Sequence, residues 1–158
     1  VATVERSAVG EANVVGLMRA RGACLGGEGN GGVVWPRVVS IRDSVAAMAL
    51  VLRLMSSTGR TVSELVGEMP RYAIAKRKLP IREGLAETAL ARTRTLINGA
   101  SVDAQDGVRL DFDGESGGRS WLHVRPSNTE PILRLIAEAP SENEANAILD
   151  HAESAIGG

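Results

Sequence analysis

Val108-Arg-Leu-Asp-Phe-Asp-Gly-Glu-Ser-Gly-Gly-Arg-Ser-Trp-Leu-His-Val-Arg-Pro-Ser-Asn-Thr-Glu-Pro-Ile-Leu-Arg-Leu-Ile-Ala137 is the stretch whose reading decides the fold. Val108 to Phe112 alternates apolar and polar side chains, and Asp113-Gly-Glu-Ser-Gly-Gly118 is turn chemistry. Ser120 to Val124 then alternates again. A period of two on both sides of a glycine-rich turn predicts a hairpin with a longer loop. Ile132–Ala137 adds an apolar strand, and Ser141 caps a last helix from Glu142 to about Ile156. Upstream, Tyr72–Leu79 alternates basic and apolar residues and reads as a half-exposed strand. Residues 83–97 read as a helix with Leu85, Ala89, Leu90 and Leu96 inward, closed by Gly99. The order β-α-β-β-β-α implies an antiparallel sheet with helices on one face, an α+β domain.

The pattern before residue 70 differs. Residues 10–21 read as a helix with Val14, Val15, Leu17 and Met18 on one face, ended by Gly22. Ala23-Cys-Leu-Gly reads as a short buried strand, with Cys24 as a small buried hydrophobe. Gly26-Gly-Glu-Gly-Asn-Gly-Gly32 follows, then an extended Val33-Val-Trp35 halted by Pro36. Arg42–Thr58 predicts a long apolar helix that starts near Asp43 or Ser44 and stops at Gly59. Thr61-Val-Ser-Glu64 matches a capping box for a short helix. Pro70 marks the expected boundary, giving domains 1–70 and 71–158.

Composition narrows the function classes. Apolar content is 44%, charged content is 23%, and the net charge is −1. With charge balanced and aromatics scarce, no nucleic-acid partner is expected. The most apolar run, Val45–Met55, is shorter than the roughly 18–20 residues of a membrane span, and Arg42, Asp43 and Arg53 bracket it. A single cysteine cannot form an internal disulfide. A cytoplasmic location is the expectation that fits.

Two loops carry candidate chemistry. Arg125-Pro-Ser-Asn-Thr-Glu-Pro-Ile-Leu-Arg134 supplies what a phosphate dianion needs: guanidinium forks, small hydroxyl and amide donors, and backbone N–H groups at a tight turn. Arg125, Ser127, Asn128, Thr129 and Arg134 are the candidate phosphate ligands, and Pro126 and Pro131 stiffen both flanks. The plainer account is a polar turn whose arginines form surface salt bridges. In Gly26–Gly32, five glycines leave only Glu28 and Asn30 as side chains, a carboxylate and an amide suited to vicinal sugar hydroxyls. A flexible β-turn is the alternative. The run is not a dinucleotide fingerprint, because Val33-Val-Trp-Pro36 follows instead of a helix. His123 on the second hairpin strand reads as a structural histidine, and His151 as part of a solvated helix face. Lys76-Arg-Lys78 reads as a charge-blunted strand edge that could also steer an anion.

Together Ala8-Val-Gly10, the glycine loop, Arg42-Asp43, Pro70-Arg-Tyr72, Asp106-Gly107-Val108 and Arg125–Arg134 resemble the C-terminal part of the α-D-phosphohexomutases. That family includes phosphomannomutase, phosphoglucomutase and phosphoglucosamine mutase. The resemblance implies that residues 1–70 are the later part of an α/β third domain. Residues 71–158 would then be a fourth domain similar to the TATA-binding-protein fold, a four-stranded antiparallel sheet with two helices. It implies that Glu28 contacts sugar hydroxyls and that Arg125, Ser127, Asn128 and Thr129 hold the phosphate not being transferred. It further implies interconversion of hexose 1- and 6-phosphates through a phosphoserine and a bisphosphate.

The sequence departs from the family in several places. Asn30 stands where many members have Ser, and Ala8 where several have Lys or Pro. The Ser-His phosphoserine segment and the Asp-Gly-Asp-x-Asp-Arg magnesium loop are both absent. Asp111-Phe-Asp113 is no substitute, since its aspartates lie on a strand entering a turn. The expectation is therefore a substrate-binding portion with no catalytic residue and no metal or other cofactor of its own. Mg2+ would belong to the full-length enzyme. The missing N-terminal domains of the same protein, or a second copy in a homodimer through the truncated domain, would complete the first seventy residues. The rival is a non-catalytic sugar-phosphate-binding or interaction module that kept only these loops.

Overall fold

A computed structural model of the chain describes residues 3–157 except 83, 115 and 128. It divides into two compact units, Val1–Pro70 and Arg71–Gly158.

The first unit holds three helices and a minimal hairpin. Helix α1 (Glu11–Arg21) opens with an acidic side chain and ends with Arg19 and Arg21, matching its dipole. Gly22 closes it in the left-handed conformation. Strands β1 (Gly26–Gly27) and β2 (Val33–Val34) pair antiparallel, Gly26 opposite Val34. Helix α2 (Ser44–Thr58) starts where the Asp43 carboxylate accepts from the Ala46 N–H at 2.8 Å. Helix α3 (Val62–Gly67) carries the complete Thr61/Glu64 capping box. The core here is small: Met18, Val34 and Ala46 are its buried apolar residues. Ala46 is the one buried residue of α2, while Val45 is 72% exposed and Met48 and Leu52 are exposed too.

One expectation fails in this unit. Cys24 is exposed, not buried. The strand contracts to the two glycines, so Ala23–Leu25 stay outside the hairpin and gain no partner strand to cover them.

The second unit is built on β3 (Ala73–Pro80), α4 (Ala86–Arg94), β4 (Ser101–Asp103), β5 (Val108–Asp113), β6 (Arg119–Pro126), β7 (Ile132–Ala139) and α5 (Glu142–Ile156). The sheet order is β3-β7-β6-β5-β4, antiparallel throughout. The expected four-stranded sheet thus gains a fifth strand, β4. At three residues it is too short to show an alternation of its own.

Val108, Leu110, Leu122, Val124, Leu133 and Leu135 turn one face of the sheet inward and are fully buried. Helix α5 covers them with Ala145, Leu149, Ala152 and Ile156, which recur on one helical face. Helix α4 adds Ala89, Leu90 and Thr93, whose hydroxyl donates to the Ala89 carbonyl. Leu85, expected inward, is exposed because it caps α4 and lies outside its first turn. The helix ends at Arg94, with Thr95 as its cap, before the expected stop at Gly99. The expected start at residue 83 lies outside the described residues. On edge strand β3, Arg77 reaches the helix side and pairs with Asp150 (2.5 Å) and Glu153 (2.9 Å) of α5. Lys76 and Lys78 point to the opposite face and are exposed.

Candidate functional site

The face of the sheet not covered by helices carries Arg125, Arg134 and Lys78 in one cross-strand row. Arg125 is the register partner of Arg134, and Arg134 is in turn the partner of Lys78. Each has a core-facing neighbour (Val124, Leu133 or Leu135, and Leu79), so the alternation puts all three cations on the other side. Like charges directly opposite one another destabilise a sheet. Two carboxylates offset part of the repulsion. Asp106 Oδ2 stands 3.8 Å from an Arg125 terminal nitrogen. Glu130 Oε2 stands 3.5 Å from Lys78 Nζ and 3.9 Å from Arg134. All three separations exceed hydrogen-bond length, so these are loose ion pairs.

Arg125 is the best fixed of the three, its side chain 22% exposed against 42% for Arg134 and 64% for Lys78. Gly107 explains why. Its φ is +71°, and a Cβ there would lie 2.3 Å from the Val124 carbonyl oxygen and 2.7 Å from Arg125 Cβ. Only glycine lets the Asp106–Gly107 turn press this closely on the arginine. His123 holds the same turn, its Nε2 donating to the Asp106 carbonyl at 2.6 Å. A carbonyl only accepts, so Nε2 carries the hydrogen. The buried Arg125 Nε has no hydrogen-bond partner among the described residues, which leaves the guanidinium under-satisfied.

The loop between β6 and β7 presents small donors beside this row. Ser127 N–H donates to the Ile132 carbonyl at 2.9 Å, and Ile132 N–H to the Glu130 carbonyl at 2.8 Å, which closes the turn. The Pro131 carbonyl accepts from Ile81 N–H, tying the loop to the end of β3. Ser127 Oγ and Thr129 Oγ1 are 3.4 Å apart, and Thr129 N–H meets Ser127 Oγ at 3.5 Å. These contacts are long, leaving the hydroxyls weakly engaged. Asn128 lies outside the described residues. The structure thus brings Arg125, Ser127, Thr129 and Arg134 to one end of the sheet.

The glycine loop is a separate site in the first unit. Gly31 N–H donates to the Glu28 carbonyl and Glu28 N–H to the Gly32 carbonyl, both at 3.1 Å, which makes a tight turn. Asn30 Oδ1 accepts from Gly32 N–H at 2.9 Å, and its Nδ2 reaches Glu28 Oε2 at 3.5 Å. The two expected sugar ligands therefore stand side by side. Arg42 Nη1 lies 3.6 Å from Glu28 Oε2. The aliphatic part of Arg42 runs so close beneath Gly32 that a Cβ there would be 2.3 Å from it. Glu11 anchors this arginine, accepting from Arg42 N–H at 3.2 Å and from Arg42 Nε at 2.5 Å. That side-chain hydrogen bond holds the Glu11 carboxyl below its ordinary value and raises Arg42. Asp43 N–H, donating to the Val33 carbonyl, ties the start of α2 to the hairpin.

No role for Glu11, Gly107 or Glu130 is legible in the sequence, and only a diffuse one for Lys78. The glycine at 107 was the available signal; the long-range pairings left none. Among the described residues, no three His, Cys, Asp or Glu side chains converge to hold a metal ion. Asp111 is bidentate to Arg109, at 2.9 and 2.8 Å. Among the described residues, these carboxylates do not fit a magnesium cradle.

The second unit is thus an α+β domain with a cationic hairpin end, and the first bears a buttressed glycine turn. Residues 2–72 match the phosphoglucomutase/phosphomannomutase alpha/beta/alpha domain III, and residues 73–154 match the C-terminal domain of the same enzymes. The chain belongs to the phosphoglucomutase/phosphomannomutase family.

A phosphoglucomutase/phosphomannomutase of Thermococcus kodakarensis is 34% identical over 94% of this chain and 32% of its own length. A phosphoglucosamine/phosphogalactosamine mutase of Sulfurisphaera tokodaii is 31% identical over 98% of this chain and 34% of its own. The crystal structure of a phosphoglucomutase/phosphomannomutase family protein from Burkholderia thailandensis superposes with a TM-score of 0.68 at 26% identity, over 93% of this chain and 31% of that one. The chain spans about a third of the length of these relatives.

Proposed function

We propose that this chain is the substrate-holding portion of an enzyme that interconverts hexose 1-phosphate and 6-phosphate. Arg125, Ser127, Asn128, Thr129 and Arg134 grip the phosphate that is not being transferred, and Glu28 and Asn30 receive sugar hydroxyls. The observation that carries the reading is the Arg125–Arg134 register pair beside a hydroxyl-rich turn. Two guanidinium groups held opposite each other are unfavourable without an anion and favourable with one. The glycine turn supports it independently, holding one carboxylate and one amide 3.5 Å apart.

In the reaction that the family resemblance implies, phosphoryl transfer runs through a phosphoserine and a magnesium ion. Neither family motif occurs in these 158 residues. Mg2+ would supply charge neutralisation at the transferring phosphoryl group when bound elsewhere in the full-length enzyme. We infer that these 158 residues alone bind sugar phosphate weakly and do not turn it over. Titrating the isotopically labelled chain with glucose 1-phosphate or mannose 1-phosphate should shift the Ser127 and Thr129 amides at millimolar ligand. Arg125→Ala should abolish the shifts. Unmoved amides in the parent chain, or full binding by Arg125→Ala, would remove the assignment.

A further inference from the structure

We propose that the phosphate clamp has a third cation, Lys78, and a built-in competitor, the Glu130 carboxylate. The proposal rests on the phosphate-binding reading of the β6–β7 loop and extends it to two residues outside that assignment.

Lys78 comes from β3, distant in sequence from the loop, and its register position is opposite Arg134. The row Lys78–Arg134–Arg125 crosses three adjacent strands about 4.8 Å apart, so the three side chains leave one face within a span of roughly 10 Å. A single oxygen, Glu130 Oε2, faces both Lys78 Nζ and Arg134 Nη2. It stands where an anionic oxygen of a ligand would be drawn by the same two cations. Its contacts are loose, at 3.5 and 3.9 Å, and both partners are substantially exposed. Such a pair is readily exchanged, because exposed ion pairs of this kind contribute little. Three cations against the Asp106 and Glu130 carboxylates leave a net positive charge. A phosphate dianion carries more charge than the carboxylate and offers three acceptor oxygens. When it enters, it displaces Glu130 and recruits Lys78. In the free chain Glu130 quiets the like-charge repulsion; in the bound chain it is the group that must move aside.

The test is a titration of the labelled chain with inorganic phosphate and with glucose 1-phosphate, at two salt concentrations. Lys78→Met should weaken both ligands about 3-fold and flatten the salt dependence, the modest size following from the exposure of Lys78. Lys78→Arg should restore binding, which a merely structural role for the strand edge would not require. Glu130→Gln should tighten both ligands about 3-fold, and should gain less in a Lys78→Met background. Unchanged spectra for the buried β5–β7 amides would certify the fold of each variant.

Normal binding by Lys78→Met alongside loss in Arg125→Ala overturns the third cation and leaves the clamp standing. Weaker binding by Glu130→Gln overturns the competitor and makes Glu130 a positioning residue. Normal binding by Arg125→Ala overturns the clamp itself.

Discussion

Gly107 lies against Arg125 so closely that any side chain at 107 would collide with the arginine's own Cβ. Through that contact, and through the His123 hydrogen bond to the Asp106 carbonyl, the β4–β5 turn sets where the guanidinium sits. The Arg125–Arg134 end of the sheet is thus built from a turn about twenty residues upstream as well as from its own loop.

Gly107→Ala should therefore cost stability and affinity together. The positive φ and the clash with the Val124 carbonyl predict a loss of about 1–3 kcal/mol in urea unfolding. The Ser127 and Thr129 amides should lose part of their response to glucose 1-phosphate. A variant as stable as the parent would show that the turn can move away freely.

Arg134→Gln should separate stability from binding. Removing one of two like charges in register leaves unfolding free energy within about 0.5 kcal/mol of the parent, or raises it. Phosphate affinity should fall about tenfold with the lost charge-assisted hydrogen bonds. Parallel losses in both would make Arg134 a structural residue.

Acid should loosen the first unit through Glu11. Its carboxyl is held below the ordinary 4.5 by the Arg42 side chain first and the Arg42 backbone N–H second. The stabilisation is fully present above pH 4.5 and is lost as pH falls through the lowered folded value. Glu64, lowered by Thr61, acts in the same direction. Glu11→Gln should flatten the pH dependence of thermal unfolding below pH 4.5 without abolishing it. An unchanged slope would mean the Glu11–Arg42 contact does not persist in solution.

Leu149→Ala should cost about 3 kcal/mol, as expected for emptying a fully buried leucine site between α5 and the sheet. A loss well under 1 kcal/mol would contradict the packing.

Hydrogen exchange should divide the chain. Amides of β6 and β7, paired on both sides over a buried core, should exchange slowest. Those of α2, with one buried residue, should exchange much faster. Uniformly slow exchange would mean that the exposed apolar side of α2 is covered in solution.

The sequence by itself determined most of the elements. Alternation over Val108–Phe112 and Ser120–Val124 marked two hairpin strands, Ile132–Ala137 read as a further apolar strand, the Thr61/Glu64 spacing named a cap, and Asp43 and Gly59 bounded a helix. It also marked two loops as candidates for ligand chemistry, because glycine density and Ser-Asn-Thr between prolines are local facts. Tertiary structure decided the partners. A period of two assigns a face but not an offset, so only the folded register sets Lys78 beside Arg134 and Arg134 beside Arg125. Glu11 reaches Arg42 across 31 residues for a similar reason: no local pattern encodes where two helix starts meet. The exposure of Cys24 and the extra strand β4 were decided there too. In short segments, burial and pairing depend on what the rest of the chain leaves uncovered.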